Sequence, residues 1–206
     1  MKEKAGYIKY CVFHPFEGFY EAKNRGKGST TLAAILLILF CILQCVKVQY
    51  TGFVMNNNHI SEMNSVTIFI SYLTVILLAV VSNWTVTTLF EGKGKLKDIF
   101  LVVCYALVPV IVMEAITIFI SNFAIMEELP ILNALLWIGY VWCGFMILTG
   151  LCTIHEYGLA KNIVTLLATL VAAAIIMFLG VLFVSLLEQM YGFITTFVKE
   201  WMRRVG

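Results

Sequence analysis

Charge is what this chain has least of. Asp, Glu, Lys and Arg make up 13% of its 206 residues, about half the share of an ordinary soluble domain. That scarcity leaves no room for a soluble catalytic domain, because the longest stretch outside the apolar runs is residues 1–29. A cleavable signal peptide is not expected either. The opening MKEKAGYIK lacks the short apolar core followed by small residues that one requires, so the first spanning helix is expected to act as the targeting signal. The six cysteines are Cys11, Cys41, Cys45, Cys104, Cys143 and Cys152. Most sit inside apolar runs, where Cys behaves as a small hydrophobe, and no disulfide framework is expected. Paired intramembrane Asp residues, a Ser/His dyad and a complete metal motif are all missing, which argues against an intramembrane enzyme.

What the chain has instead is apolar length. Residues 30–48, 66–90, 99–121, 131–152 and 163–187 form five runs in a sequence that is 61% hydrophobic. Each approaches or exceeds the ~20 residues a helix needs to cross ~30 Å of hydrocarbon. The expected fold is all-α: a polytopic bundle of five transmembrane helices with interfacial N- and C-terminal segments. Residues 1–29 form the leading segment, 30–191 the bundle and 192–206 an amphipathic tail. In that tail Phe193, Phe197 and Trp201 repeat every four residues, with Lys199, Arg203 and Arg204 mostly elsewhere around the wheel.

The loops alternate in charge. Lys2, Lys4, Lys9, Lys23, Arg25 and Lys27 precede the first run, and the next loop has Glu62 without a base. Lys93, Lys95 and Lys97 follow, then Glu127 and Glu128, then His155, Glu156 and Lys161. Basic short loops stay cytoplasmic, which puts the N-terminus inside and the C-terminus outside a bacterial cell membrane. The basic tail opposes this, but late charges weigh less than early ones and five runs fix opposite ends.

Within the runs, Glu114 stands out, since an acidic side chain at that depth costs ~2–3 kcal/mol on insertion scales. Lys47 and Glu188, near the outer ends of the first and fifth runs, are expected at a similar level. Two readings stay open: a cation or proton site with Lys47 as partner, and a structural pair. Asn83, with Thr85 and Thr87, is the nearest other intramembrane polar group. NWT (83–85) fits a glycosylation sequon but lies in an apolar run, out of reach. Pro109 frees a backbone carbonyl near Tyr105 and is expected to kink the third helix. Ala168, Ala172 and Gly180, with Thr165, Thr169 and Ala173 beside them, mark a packing seam on the fifth. The other seams are Gly139, Cys143, Gly144 and Gly150 on the fourth, and Ser71, Ala79 and Ser82 on the second.

Cys11/His14 and Cys152/His155 share an i, i+3 spacing that would suit zinc only if the pairs met. Incidental placement is the expectation, and no metal or cofactor is expected. RGKGST (25–30) falls short of a phosphate-binding loop, because Gly28 replaces the Ser/Thr after Lys27 and Glu21 replaces the first Gly. A weak anionic-lipid contact suits it better.

Four segments together carry a family resemblance: CVFHPFEGFYE (11–21), NWTVTTLFEGKG (83–94) with Asp98, CYALVP (104–109), and HEYG (155–158) with Lys161 and Asn162. They resemble the bacterial branch of the Yip domain family, the Ypt/Rab-interacting proteins. The resemblance implies five spanning helices, a cytoplasmic N-terminus and a non-cytoplasmic C-terminus. Eukaryotic members, which carry a longer soluble N-terminal region, bind prenylated Rab GTPases and shape secretory-pathway membranes.

The functional expectation is a non-enzymatic scaffold or adaptor contacting membrane lipids and other membrane proteins, a transporter among them, or a second copy of itself. Nucleic acid is not an expected partner. Its recognition surface would be His14, Pro15, Phe16, Gly18 and Tyr20, with Gly92, Lys93, Gly94 and Asp98, and with His155, Glu156, Lys161 and Asn162. The alternative is a small-solute or ion transporter, or an accessory subunit of one, built on Glu114.

Overall fold

The computed structural model describes residues 2–56 and 64–205. Glu62, the acidic residue of the first loop, lies outside them. The described chain is helical without strands: α1 (Lys2–Phe13), α2 (Pro15–Asn24), α3 (Thr30–Tyr50), α4 (Ser65–Leu89), α5 (Leu96–Ala106), α6 (Val108–Ser121), α7 (Leu129–His155) and α8 (Leu159–Val205). Five segments are long and apolar enough to cross a membrane, with α5 and α6 together making the third. The chain is an all-α, multi-pass integral membrane protein.

Local chemistry sets the helix ends. Asn64 caps α4 by accepting from the Val66 and Thr67 N–H groups. Pro130 sits in the first turn of α7, where its missing N–H costs nothing. Glu156 stops α7 in the left-handed conformation, with φ 57°, and its N–H returns to the Cys152 carbonyl. The third span breaks at Leu107, between Tyr105 and Pro109. Pro109 opens α6, and the ladder resumes with Ile111 N–H on the Leu107 carbonyl at 2.9 Å.

This broken helix is the centre of the bundle. Its most apolar stretch is 56% buried, against 28% or less for the other four. Ile99, Val102, Cys104, Tyr105 and Ala106 of α5 are fully enclosed. Small residues let neighbours close on it. Gly150 of α7 leaves room for Val102 and for Phe19 of α2 (a Cβ there would meet them at 2.5 and 3.0 Å), and Gly139 admits Met113 of α6. A Cβ at Gly144 would meet nothing, so three of the four α7 seam residues pack, Cys143 against the core among them. On α4, Ser82 is buried while Ser71 and Ala79 are exposed.

The leading segment folds onto the bundle. Gly18 of α2 lies against the Cys11 backbone of α1, the Tyr7 hydroxyl donates to the Gly18 carbonyl at 2.5 Å, and Trp142 of α7 donates to the Val12 carbonyl at 3.1 Å. Helix α8 packs mainly on α4 through its first turns. The face that packs is the Thr165/Thr169 one, while Gly180 meets nothing. The helix then continues unbroken through residues 192–205.

Gly150→Leu should lower stability by about 1–3 kcal/mol, the cost of overpacking a filled interior, whereas Gly180→Leu should leave it unchanged. Thermal unfolding of both variants in the same detergent checks this; equal losses would show that α7 does not approach α5 as described.

Candidate functional site

Two polar assemblies stand out, one near each end of the bundle. The first is centred on Glu114, whose residue is 1% exposed. Its side chain lies where α6 meets α3 and α7. Gln44 Nε2 donates to one carboxylate oxygen at 2.6 Å; Lys47 Nζ at 2.7 Å and the Tyr140 hydroxyl at 2.8 Å donate to the other. Lys47 also lies 3.4 Å from the Tyr140 hydroxyl. A charge taken from water is costly unless it is paired and hydrogen-bonded, and three donors from two other helices meet that demand. Beside the group is a cavity of 230 Å³ lined by Gln44, Lys47, Tyr72, Glu114 and Thr117. The Thr117 hydroxyl is buried without a hydrogen-bond partner.

Glu188 does not join this assembly. It is exposed on α8 and forms no ion pair among the described residues, because α8 packs against α4 rather than α6. Asn83 serves another joint. Its Nδ2 donates to Thr169 Oγ1 at 3.1 Å, binding α4 to α8, and Asn162 Nδ2 donates to the Leu148 carbonyl at 2.9 Å, binding α8 to α7.

The second assembly lies at the end bearing the basic turns. Glu156, positioned by its left-handed backbone, accepts from Lys23 of α2 at 3.0 Å and from Lys93 at 2.5 Å. The Lys93 ammonium foremost, then Lys23, holds the Glu156 carboxyl below its usual range. A depressed carboxyl favours the fold above that range, so the contact is intact at neutral pH and is lost as pH falls through the lowered value.

His155 is buried beneath the 90–95 turn. Gly94 N–H points at its Nδ1 at 3.3 Å, and a Cβ on Gly92 or Gly94 would meet the ring at 2.5 or 2.8 Å. Tyr157 stacks on His155 with centroids 5.2 Å apart, donates to the Phe90 carbonyl at 2.9 Å, and carries Lys161 Nζ over its ring at 4.5 Å. Asp98 accepts the Lys95 N–H at 3.1 Å, closing the start of α5. Gly92, Lys93, Gly94, Asp98, His155, Glu156 and Lys161 thus gather around one turn, while Asn162 belongs to the α7–α8 joint.

His14, Phe16 and Tyr20 stand apart from that lock, exposed along α1 and α2. Pro15 and Gly18 are buried and shape the hairpin. His14 stacks on Tyr10 at 5.0 Å while Cys11, Cys152 and His155 are buried. No three His, Cys, Asp or Glu side chains converge among the described residues.

Sequence reasoning missed Gln44, Tyr140, Lys23 and Tyr157 as members of these groups. Gln44 had a signal, since it precedes Lys47 by three residues and shares its helix face. Tyr140 had none beyond a polar tip in an apolar run.

The Yip1 domain family model matches residues 9–187, which take in both assemblies, and the chain belongs to that family. Neither the comparison with curated proteins nor that with solved structures finds a match.

Removing one partner of a buried pair strands the other charge. Lys47→Met should therefore destabilise by about 3 kcal/mol, the low end of the range for buried pairs, because Lys47 keeps 29% side-chain exposure. The double variant Lys47→Met/Glu114→Gln should regain much of that loss. Unfolding of the parent, single and double variants in one membrane mimetic tests it; a double variant no better than the single would show that the two charges are not coupled.

Proposed function

We propose that the chain is a non-enzymatic scaffold or adaptor of a bacterial cell membrane, with its basic end and N-terminus in the cytoplasm and its C-terminus outside. The observation that carries this reading is the contrast between the two kinds of polar surface. Inside the bundle, the Glu114 and Asn83 side chains bridge helices. At the basic end, polar and aromatic side chains are instead displayed on a braced platform.

Phe16 and Tyr20 are 54% and 56% exposed there. They border an open groove of 490 Å³ with Tyr10, Glu17, Glu21 and Arg25. Aromatic and Arg side chains beside exchangeable polar groups are the composition of protein-binding hot spots. The Lys23–Glu156 bridge ties α2, which carries this surface, to the end of α7. The surface therefore suits another membrane protein's cytoplasmic segment, while the exposed apolar length of the helices contacts lipid and further spanning helices, including those of a second copy.

Replacing Phe16 and Tyr20 by Ala should reduce cross-linking to protein partners about tenfold or more in native membranes, as loss of two hot-spot aromatics would, with the melting temperature unchanged. An unaltered set and yield of adducts would sink the adaptor reading.

A small-solute or ion transporter, or its accessory subunit, is the second reading. The cavity of 230 Å³ beside Glu114 favours it. Such a protein would show a pH- or cation-dependent flux in proteoliposomes that Glu114→Gln abolishes; parent vesicles with no flux, or a variant with full flux, remove it. Lys47 already occupies the position a carried cation would need, and this is why the adaptor reading is preferred.

A further inference from the structure

Between the two basic turns, at the starts of α3 and α5, lies a cavity of 450 Å³ that shares Lys23, Lys93 and Asp98 with the second assembly. Its polar lining is Lys23, Asn24, Thr30, Lys93, Lys95, Lys97 and Asp98, and Leu101 contributes apolar surface. The volume falls within the ~300–1,000 Å³ that holds small ligands.

The charge within it is not neutralised. Glu156 offsets one of the two lysines it contacts, Lys23 and Lys93. Asp98 offsets one more, although one of its oxygens is already committed to the Lys95 N–H. Of four lysine charges, two remain. Lys95 and Lys97 are exposed and, unlike Lys23 and Lys93, have no ion-pair partner among the described residues. Arg25 and Lys27 lie close by in sequence and share Glu21 at 2.6 and 2.7 Å, which offsets one of them and leaves a further positive charge beside the cavity.

The walls are fixed by the bundle. Ser29 is held by its N–H on the Tyr105 hydroxyl at 3.2 Å, and its side chain does not cap α3. The first-turn N–H groups beside Thr30 therefore have no side-chain acceptor at the cap. Gly28 packs on Leu101 and Ala22, drawing the 25–29 turn against α5, and Gly26 makes the turn with φ 63°. Lys23 is tied down by the Ile154 carbonyl at 2.8 Å.

Depth supplies the last element. The cavity sits where the apolar lengths of Thr30–Tyr50 and Leu96–Ser121 begin, at the level of lipid headgroups for any insertion that buries those spans. Lysine ammonium groups are point charges suited to phosphate, and basic pockets between spanning helices at that depth hold anionic headgroups.

We propose that this cavity binds the phosphate of an anionic membrane lipid, with Lys95 and Lys97 as its principal contacts and Lys23 and Lys93 completing the field. The site is independent of the adaptor reading: it requires only that the two turns meet as described.

The test is native mass spectrometry of the full chain released from nanodiscs of phosphatidylcholine containing a minority of phosphatidylglycerol. The parent should retain phosphatidylglycerol in preference to the bulk lipid. Lys95→Gln/Lys97→Gln should weaken that retention roughly thirtyfold, the effect of two basic residues lost from an anionic surface. Lys95→Arg/Lys97→Arg should keep it. Lys199→Gln/Arg203→Gln/Arg204→Gln, at the far end of α8, should also keep it.

Retention of phosphatidylglycerol by the double Gln variant at the parental level overturns the site. So does equal loss in the tail variant, which would mark a diffuse charge effect. Melting temperatures of all variants accompany the measurement, and a double Gln variant that melts below the parent is replaced by Lys97→Gln alone, read against the same two outcomes. Glycerol phosphate added to pure phosphatidylcholine nanodiscs distinguishes the source: binding as tight as that of the lipid assigns the cavity to a soluble phosphate ester and overturns the lipid assignment.

Discussion

Hydrocarbon offers no hydrogen-bond partner, so a polar side chain that enters it is costly unless its own helix or a neighbour supplies one. The architecture is arranged around that constraint. Apolar surface does little to draw helices together where the solvent is itself apolar. Glu114 could not remain at 1% exposure on α6 alone; Gln44 and Lys47 bring α3 to it, and Tyr140 brings α7. The buried residues of α8 are Asn162, Thr165 and Thr169, with Leu, Val and Ile facing outward. That is the reverse of a soluble helix. These contacts say which helices touch, whereas apolar packing says only how closely.

The break at Leu107 divides the labour of the central span. Pro109 removes a donor that would otherwise continue the ladder, and the span becomes two pieces that both pack on α3 and α7, α5 also on α4. Below the break, α5 presents Tyr105 to Ser29 and carries the basic turn. Above it, α6 presents Glu114 to α3 and α7. Tyr105 and Pro109 thus do more than shape one helix. Through Ser29 the tyrosine sets where α3 begins, and α3 in turn delivers Gln44 and Lys47 to the opposite end of the bundle. A single interrupted helix therefore links the two ends of the bundle, since both of its pieces pack on α3 and α7.

The spans were legible in the sequence because a long apolar run has one physical solution in a membrane. The Glu114–Lys47 contact was legible too, since depth along two neighbouring helices brings both side chains to one level. What could not be read was lateral position. Glu188 has a suitable depth, yet it sits on a helix that packs elsewhere. The Phe19 contact with Gly150 depends on the leading segment folding back over the bundle, which no periodicity in residues 1–29 announces. His155 looked like a surface group, but the absence of side chains at Gly92 and Gly94 lets a turn close over it. The aromatic period of residues 193–201, with charges mostly elsewhere around the wheel, marks an amphipathic tail in the sequence. Helically, nothing separates it: Phe193, Phe197 and Trp201 keep the period of the preceding turns and stack in series at 6.5 and 6.4 Å.

That continuity has a geometric consequence. At ~1.5 Å per residue, the 47 residues of α8 extend ~70 Å, while the hydrocarbon is ~30 Å thick and the whole bilayer ~40–45 Å. Tilts of spanning helices reach ~40°, which still leaves a straight α8 longer than the bilayer. The surplus is not water-compatible, because Tyr191, Phe193, Phe197 and Trp201 are each more than half exposed within the chain. The end of α8 is therefore stable only against a surface that accepts aromatic rings and tolerates Lys199, Arg203 and Arg204 beside them. The headgroup layer meets both conditions, as does an apolar face of another membrane protein. Either cover lies outside this chain, so the helix that contributes least to the bundle's interior is the one whose stability depends most on what surrounds it.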